Sequence, residues 1–147
     1  MSVEENKIVM RRVFEIINSG DLSSAGDLIA DDLVDHEVPS SLPRGLTGWK
    51  QYVGMMRTAF PDLELVAEDT IAEGDRVVCR FTLRGTHRGE FMGLPPTGRP
   101  VSISGVDIGR FAGGKGVEHW ASMDQLGLLQ QLGVIEADPA LEAPVRT

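Results

Sequence analysis

The stretch that decides the fold of this chain reads Val117-Glu118-His119-Trp120-Ala121-Ser122-Met123-Asp124, followed by Gln125-Leu126-Gly127-Leu128-Leu129-Gln130-Gln131-Leu132-Gly133. Its first half predicts a strand, and its second half predicts a short helix over about 125–132 that ends at Gly133. Side chains alternate between the two faces of a strand, so four polar or aromatic side chains share one face and His119 lies on the other. These four are Glu118, Trp120, Ser122 and Asp124. A face with two carboxylates, an indole and a hydroxyl suits the wall of a pocket better than a core.

The residues at the start of the chain have the spacing of helices. Apolar positions three and four apart predict helices over 2–18, over about 22–29 and between Thr47 and Pro61. Ser2 and Glu5 have the spacing of a capping box at the start of the first helix. Thr47 is the expected cap of the third helix, and Pro61 is expected to end it. A short extended segment over 31–38 carries His36.

From Leu63 onward the apolar period changes from about 3.6 to 2, which is the period of strands. The predicted strands cover residues 63–72, 76–91 and 101–111. In the last of these, Val101 and Ile103 are apolar at odd positions, whereas Val106 and Ile108 are apolar at even positions. A β-bulge near Ser104-Gly105 would reconcile the two halves. Until its position is known, the faces of Asp107 and Arg110 cannot be assigned.

The order of these elements predicts an α+β fold. Three helices, a meander of long antiparallel strands and a closing helix would let the sheet curl around the early helices. Such a sheet leaves a conical cavity at its open end. We expect one domain over residues 1–135 and a loose tail over 136–147, which is rich in Ala, Pro and Glu.

Composition limits the possible partners. The hydrophobic fraction of 41% and the charged fraction of 24% are those of a soluble globular protein. The formal net charge of -8 disfavours nucleic acid and anionic lipid as partners. No apolar run approaches the roughly 18 residues that span a membrane, and no signal peptide pattern begins the chain. Because Cys79 is the only cysteine, it cannot form an internal disulfide, and this suits a cytoplasmic protein.

Several short segments with a characteristic order and spacing are spread over most of the chain. They are Val34-Asp35-His36, Ala59-Phe60-Pro61-Asp62-Leu63, Glu73-Gly74-Asp75-Arg76-Val77-Val78, Gly85-Thr86-His87-Arg88-Gly89-Glu90-Phe91, Pro96-Thr97-Gly98-Arg99, Glu118-His119-Trp120 through Asp124, and Gln131-Leu132-Gly133. Together these segments resemble the SnoaL-like polyketide cyclases, also called ester cyclases, of the NTF2-like superfamily. The resemblance implies an α+β cone with a curved antiparallel sheet, a largely apolar pocket, and dimers or tetramers. It also implies a cofactor-free intramolecular aldol ring closure of a polyketide ester, with an aspartate at the position of Asp124 as acid and base.

Asp124 has two interpretations. Burial beside Trp120 would make its carboxylate basic enough to remove a proton next to a carbonyl group. Aspartate is also among the best N-cap residues, and a helix is predicted to begin at Gln125, which would stabilise the carboxylate as an anion instead.

The three histidines are predicted to differ in their roles. His87 falls on the apolar face of its strand, where it could donate a hydrogen bond to a substrate carbonyl group, or it could be a buried core histidine. His36 is expected in the pocket or at its rim, with a solvent-facing loop as the alternative. His119 is expected to point away from the pocket unless a bulge reverses its strand.

The predicted substrate-binding side chains are mostly aromatic or apolar. They are His36, Trp49, Tyr52, Met56, Phe60, Glu118 and Trp120, of which the helical ones could equally form core. No metal is predicted, because no histidine occurs in a local ligand spacing such as H-x-H or H-E-x-x-H, and the resemblance implies that no cofactor is needed.

The sequence therefore favours a cyclase-like enzyme whose partner is a small apolar molecule, with a homodimer or homotetramer expected. One alternative is a non-catalytic module that binds a hydrophobic ligand, and another is an isomerase or hydrolase on the same fold. A steroid-isomerase-like reaction would need a tyrosine facing the base, and the position of Tyr52 on a predicted helix disfavours it. Epoxide hydrolysis would need Asp107, Arg110 and Asp124 to act together.

Overall fold

A computed structural model describes residues 1–136 of the chain. The predicted tail, apart from Glu136, lies outside the described residues. The helices are α1 (Val3–Ser19), α2 (Gly45–Ala59) and α3 (Gln125–Gln131), and a single 3₁₀ turn covers Ala25–Asp27. The strands are β1 (Ile29–Asp35), β2 (Glu64–Glu73), β3 (Arg76–Thr86), β4 (Pro100–Ala112) and β5 (Lys115–Met123).

The five strands form one curved sheet in the order β1-β5-β4-β3-β2. Strand β1 runs parallel to β5, and every other neighbouring pair is antiparallel. Helices α1 and α2 cover one face of this sheet, and the core lies between the two layers. The predicted α+β fold, with a curved sheet and N-terminal helices, is confirmed. No helix within the described part of the chain combines the length and the apolar character that crossing a bilayer requires.

The first helix forms as its sequence predicts. The Ser2 hydroxyl accepts a hydrogen bond from the Glu5 backbone N–H at 3.1 Å and so caps the helix. Gly20 ends it in the left-handed conformation, with its N–H bonded to the carbonyl groups of Ile16 and Ile17. The buried stripe of α1 packs against the sheet.

Two helix predictions are wrong. The helix expected over about 22–29 is only the 3₁₀ turn, because Ile29 and Leu33 are buried as residues of strand β1 instead. Thr47 does not cap α2, which begins two residues earlier at Gly45 and follows Arg44 without a side-chain cap. The end of α2 before Pro61 is confirmed.

The bulge predicted near Ser104-Gly105 is absent, because β4 pairs with β3 in unbroken register from Arg110 to Pro100. All odd-numbered residues of β4 from 101 to 111 are buried, whereas Val106 and Ile108 lie on the outer face. The irregularity lies further along, between Arg110 and Phe111, where β4 meets β5. The long strand predicted over 76–91 is shorter, since β3 ends at Thr86.

Candidate functional site

A cavity of about 140 Å³ lies between the helices α1 and α2 and the inner face of the sheet. Most of its lining is apolar and comes from all five strands and from α1 and α2. Six residues with polar side chains also line it, namely Asp35, Glu37, Tyr52, Asp107, Glu118 and His119. An apolar cavity with a few converging polar groups is the usual form of a small-molecule site.

His119 lies between two carboxylates on this wall. Its Nδ1 atom is 3.0 Å from Asp35 Oδ1, and its Nε2 atom is 3.0 Å from Asp107 Oδ1. The sheet brings these residues together, because Asp35 pairs with His119 between β1 and β5, and Asp107 is a diagonal neighbour on β4. Both ring nitrogens are therefore directed at carboxylate oxygens.

The two carboxylates keep the imidazole of His119 charged. Burial alone would lower its pKa, but the hydrogen bonds and charges of Asp107 and Asp35 raise it to about 10. Burial would raise the pKa of Asp35, but the hydrogen bond and charge of His119 and the backbone N–H groups of Glu37 and Val38 lower it. At neutral pH the cluster is thus an imidazolium held between two carboxylates.

The two carboxylates differ in their second oxygen atoms. Asp35 Oδ2 is completely enclosed and has no hydrogen-bond partner among residues 1–136. Asp107 Oδ2 also has no partner within these residues, but it is not completely enclosed, and Asp107 lines the cavity. Asp107 therefore offers a free carboxylate oxygen to a ligand.

The alternation predicted for β5 holds over 119–123, but the predicted pocket face is wrong, although Glu118 of that face also lines the cavity. His119, Ala121 and Met123 line the cavity, whereas Trp120 and Ser122 do not. The Trp120 indole lies on the outer face instead. There it stacks on His36 with 4.9 Å between ring centroids, and the guanidinium of Arg76 lies 5.3 Å from its ring centroid.

Asp124 does not line the cavity, so its predicted position in the pocket is wrong. It is exposed and stands at the N-cap of α3, where its Oδ1 atom accepts the Gly127 N–H at 2.9 Å. The alternative interpretation of Asp124 as a helix cap is confirmed.

His36 and Glu118 belong to a polar cluster that also contains Arg110. Glu118 Oε2 is 2.8 Å from His36 Nε2, and Glu118 Oε1 accepts a hydrogen bond from Arg110 Nε at 2.9 Å. Both hydrogen bonds lower the pKa of Glu118, and the bond with His36 has the larger effect. Glu118 is one of the residues that line the cavity, but His36 is not, so the pocket position predicted for His36 is wrong.

His87 is a core residue, and its predicted place in the pocket is wrong. Its side chain is fully buried and lies outside the cavity lining, with ring centroids 5.6 Å from Phe60 and 6.5 Å from Phe91. The Thr97 N–H donates to His87 Nδ1 at 3.1 Å, and this hydrogen bond holds the connection from β3 to β4 against the core. His87 Nε2 therefore carries the proton of the neutral ring, and it has no partner among the described residues.

Helix α2 supplies three of the predicted lining residues. Trp49, Tyr52 and Met56 line the cavity, whereas Phe60 is completely buried in the core outside it. Burial, followed by the negative charges of Glu37, Asp35 and Asp107, raises the pKa of Tyr52. Its position on a helix therefore does not keep Tyr52 out of the cavity, which it lines together with Asp35 and Asp107.

Sequence reasoning missed the central cluster. Asp35 was visible only as part of the segment Val34-Asp35-His36, and the supposed bulge obscured Asp107. An unbroken odd-numbered face of β4 would have identified Asp107 as an inward carboxylate. Within residues 1–136, no group of three or more His, Cys, Asp or Glu side chains has the arrangement of a metal site.

Comparisons with known proteins place the chain in a family. The model of the SnoaL-like polyketide cyclases matches residues 7–132. Nogalonic acid methyl ester cyclase of Streptomyces nogalater is 34% identical over 121 residues, which cover 79% of this chain and 88% of that protein. Aklanonic acid methyl ester cyclase AcmA of Streptomyces galilaeus is 29% identical over 136 residues, which cover 89% and 92%. The structure of TsrD from Streptomyces laurentii superposes with a TM-score of 0.85 at 27% identity, and the match covers 92% of this chain and 99% of that one. The chain therefore belongs to the SnoaL-like polyketide cyclase family.

Proposed function

We propose that this protein is a cyclase that closes a ring in a small, largely apolar carbonyl compound by an intramolecular aldol reaction without a cofactor, with Asp107 as the acid and base. The observation that carries the proposal is the free oxygen of Asp107 in an apolar cavity, beside the imidazolium of His119. The names of the relatives from Streptomyces nogalater and Streptomyces galilaeus support a cyclisation of this kind.

The reaction needs one group that takes a proton from carbon and later gives it to oxygen. Asp107 Oδ2 would remove the proton next to a carbonyl group, and the enolate carbon would then form a C–C bond to a second carbonyl carbon of the same molecule. The electron pair of that second carbonyl moves onto its oxygen, which becomes an alkoxide. Asp107 then returns its proton to the alkoxide, so that the carboxylate is regenerated and no atom is lost.

His119 and Asp35 would act through position and charge. The imidazolium holds Asp107 by a hydrogen bond to Oδ1, so that Oδ2 remains the basic atom on the cavity side. Its positive charge also stabilises the negative charge that passes from Asp107 to the substrate. Asp35 fixes the opposite side of the ring and keeps it protonated. This arrangement assigns to Asp107 the acid and base role first predicted for Asp124.

The test is the Asp107→Asn variant, assayed with nogalonic acid methyl ester, for which the Streptomyces nogalater relative is named. We expect turnover to fall by about 10²- to 10⁴-fold, the usual contribution of a general base. Binding of the ester, measured by calorimetry, should stay within a few-fold of wild type. Asp124→Asn is the matched control, because Asp124 carries the same functional group outside the cavity. Unchanged turnover in Asp107→Asn would refute Asp107 as the acid and base, whereas a wild-type protein that binds the ester without turning it over would favour the non-catalytic binding module.

The isomerase alternative gains support from one observation. Tyr52 lines the same cavity as Asp107, and a base opposite a phenolic donor can move a proton between two carbon atoms. The products distinguish the two reactions, because ring closure creates a new C–C bond and an isomerisation does not. Carbon NMR of the product would decide between them.

A further inference from the structure

We infer that Tyr52 is a second catalytic residue of this site, which donates a hydrogen bond to the substrate carbonyl oxygen as negative charge develops on it. The inference rests on the proposed function, since it assigns the oxyanion-binding group of the same reaction. It follows from the donors and acceptors that the cavity offers.

Carboxylate acceptors outnumber available donors in the cavity. Its lining includes the carboxylates of Asp35, Glu37, Asp107 and Glu118, and no lysine or arginine among residues 1–136 lines it. His119 has two N–H groups, but both are directed at carboxylates. A carbonyl oxygen in the cavity must therefore find its hydrogen-bond donor elsewhere.

Tyr52 is the best placed of the remaining donors. It is the only tyrosine of the chain, it lines the cavity, and its hydroxyl group has no hydrogen-bond partner among residues 1–136. The hydroxyl is also not completely enclosed, so a ligand can reach it. Trp49, one helical turn earlier on α2, also lines the cavity, and its indole N–H has no partner in the described residues. It therefore serves as the comparison for Tyr52 in the experiments.

The protonation state of Tyr52 suits a donor. Burial and the charges of Glu37, Asp35 and Asp107 raise its pKa, so the phenol remains neutral at the pH at which a carboxylate works as a base. A neutral phenol in a water-poor cavity donates a strong hydrogen bond to an oxyanion.

Donor and base reach the cavity from different layers of the fold. Tyr52 lies on α2, and Asp107 lies on β4 in the sheet that α2 helps to cover. A substrate between them would direct its acidic C–H toward Asp107 and its carbonyl oxygen toward Tyr52. When the proton moves to Asp107, the C–H electron pair becomes the enolate double bond and the carbonyl π pair moves to oxygen. Tyr52 keeps its own proton throughout.

The first experiment measures turnover of nogalonic acid methyl ester by Tyr52→Phe, which removes only the hydroxyl group. We expect kcat to fall by about 100-fold while the affinity for the ester changes less than threefold, because the hydrogen bond strengthens as charge develops. Trp49→Phe should lower kcat less than Tyr52→Phe does. If Tyr52→Phe kept the wild-type kcat, the inference would be overturned. If Asp107→Asn were inactive at the same time, the proposed function would remain intact.

The second experiment needs no turnover and compares two probes of similar shape by calorimetry. 2-Naphthol presents an oxygen that resembles the enolate oxygen, and naphthalene lacks it. In Tyr52→Phe the affinity for 2-naphthol should fall by about tenfold relative to naphthalene, and a purely structural role for Tyr52 would weaken both probes equally. An unchanged ratio of the two affinities would overturn the inference, even if Asp107→Asn had already refuted Asp107 as the base.

Discussion

Asp35 Oδ1 lies 3.0 Å from Nδ1 of His119 across the parallel pair of strands β1 and β5. The same oxygen accepts the backbone N–H of Glu37 at 2.9 Å, so the loop after β1 also holds the carboxylate in position. On the other side of the ring, Asp107 completes the cluster. The folded protein therefore holds His119 as a cation, and its stability should depend on pH.

The first prediction concerns this pH dependence. The pKa of His119 is about 10 in the folded protein, against about 6.5 in an unfolded chain. The folded state thus binds more protons between these values. The stabilisation is complete below pH 6.5 and is lost as the pH rises toward 10. Urea unfolding should show a decline in the free energy of unfolding on the order of a few kcal/mol over this window.

His119→Gln is the control for this prediction, since glutamine cannot take up a proton. The difference in unfolding free energy between wild type and His119→Gln should be largest near pH 6.5 and should shrink toward pH 10. Parallel curves for the two proteins over this range would contradict the charged state assigned to His119.

The second prediction separates capping from catalysis at Asp124. Asp124→Ala should lose about 1 kcal/mol of unfolding free energy, because the Gly127 N–H at the start of α3 loses its acceptor. Asp124→Ser should keep most of the stability, since serine caps helices about as well as aspartate. Both variants should keep turnover within threefold of wild type. A stable Asp124→Ser protein with turnover reduced by orders of magnitude would restore Asp124 as the base.

The sequence contains the elements of the sheet but not the choice of its inner face. Alternation correctly groups His119 with Ala121 and Met123, and Trp120 with Ser122. Which group points inward depends on partners from other strands, and local pattern carries no information about them. Trp120 is the more apolar residue, yet it lies outside because His36 and Arg76 cover its ring, while the inner face provides carboxylates for His119.

The same reason explains why the bulge predicted in β4 was wrong. Its inner face includes Gly105, Asp107 and Gly109, which look unlike a core, and its outer face carries Val106 and Ile108, which look like one. The first set has two causes: a Cβ atom at Gly105 or Gly109 would overlap the ring of Phe81 or Phe111, and Asp107 faces the cavity. The pairing of Ile108 with Val78 and with Trp120 explains the second, because it extends an apolar row across the outer face.

The third prediction uses two glycines of α2 with opposite surroundings. A methyl group at Gly48 would overlap the carbonyl oxygen of Pro43, whereas a methyl group at Gly54 would meet no atom within 4 Å. Gly48→Ala should therefore lower the free energy of unfolding by more than 2 kcal/mol, because backbone must move. Gly54→Ala should raise it by about 0.5–1 kcal/mol, the difference in helix propensity. Urea denaturation measures both, and changes of the same sign would contradict the packing of α2 against the loop before it.

The fourth prediction concerns the guanidinium of Arg57, which joins three parts of the fold. Its two terminal nitrogens donate to four backbone carbonyl groups at 2.9–3.3 Å, those of Ile17, Asn18, Pro61 and Leu63. These carbonyls belong to the end of α1 and to the turn between α2 and β2. One side chain thus donates hydrogen bonds to carbonyl groups at the ends of these elements.

Arg57→Ala should lower the free energy of unfolding by about 2–4 kcal/mol, since partly buried carbonyl groups lose a charged donor. Arg57→Lys should recover less than half of this loss, because an ammonium group keeps the charge but cannot span the four acceptors as the planar guanidinium does. Arg12→Ala is the matched control, because Arg12 is an exposed residue on α1, and it should stay within about 0.5 kcal/mol of wild type. Urea denaturation of the three variants gives the comparison. If Arg57→Lys were as stable as wild type, charge alone would explain the site, and the shared hydrogen bonds would contribute nothing measurable.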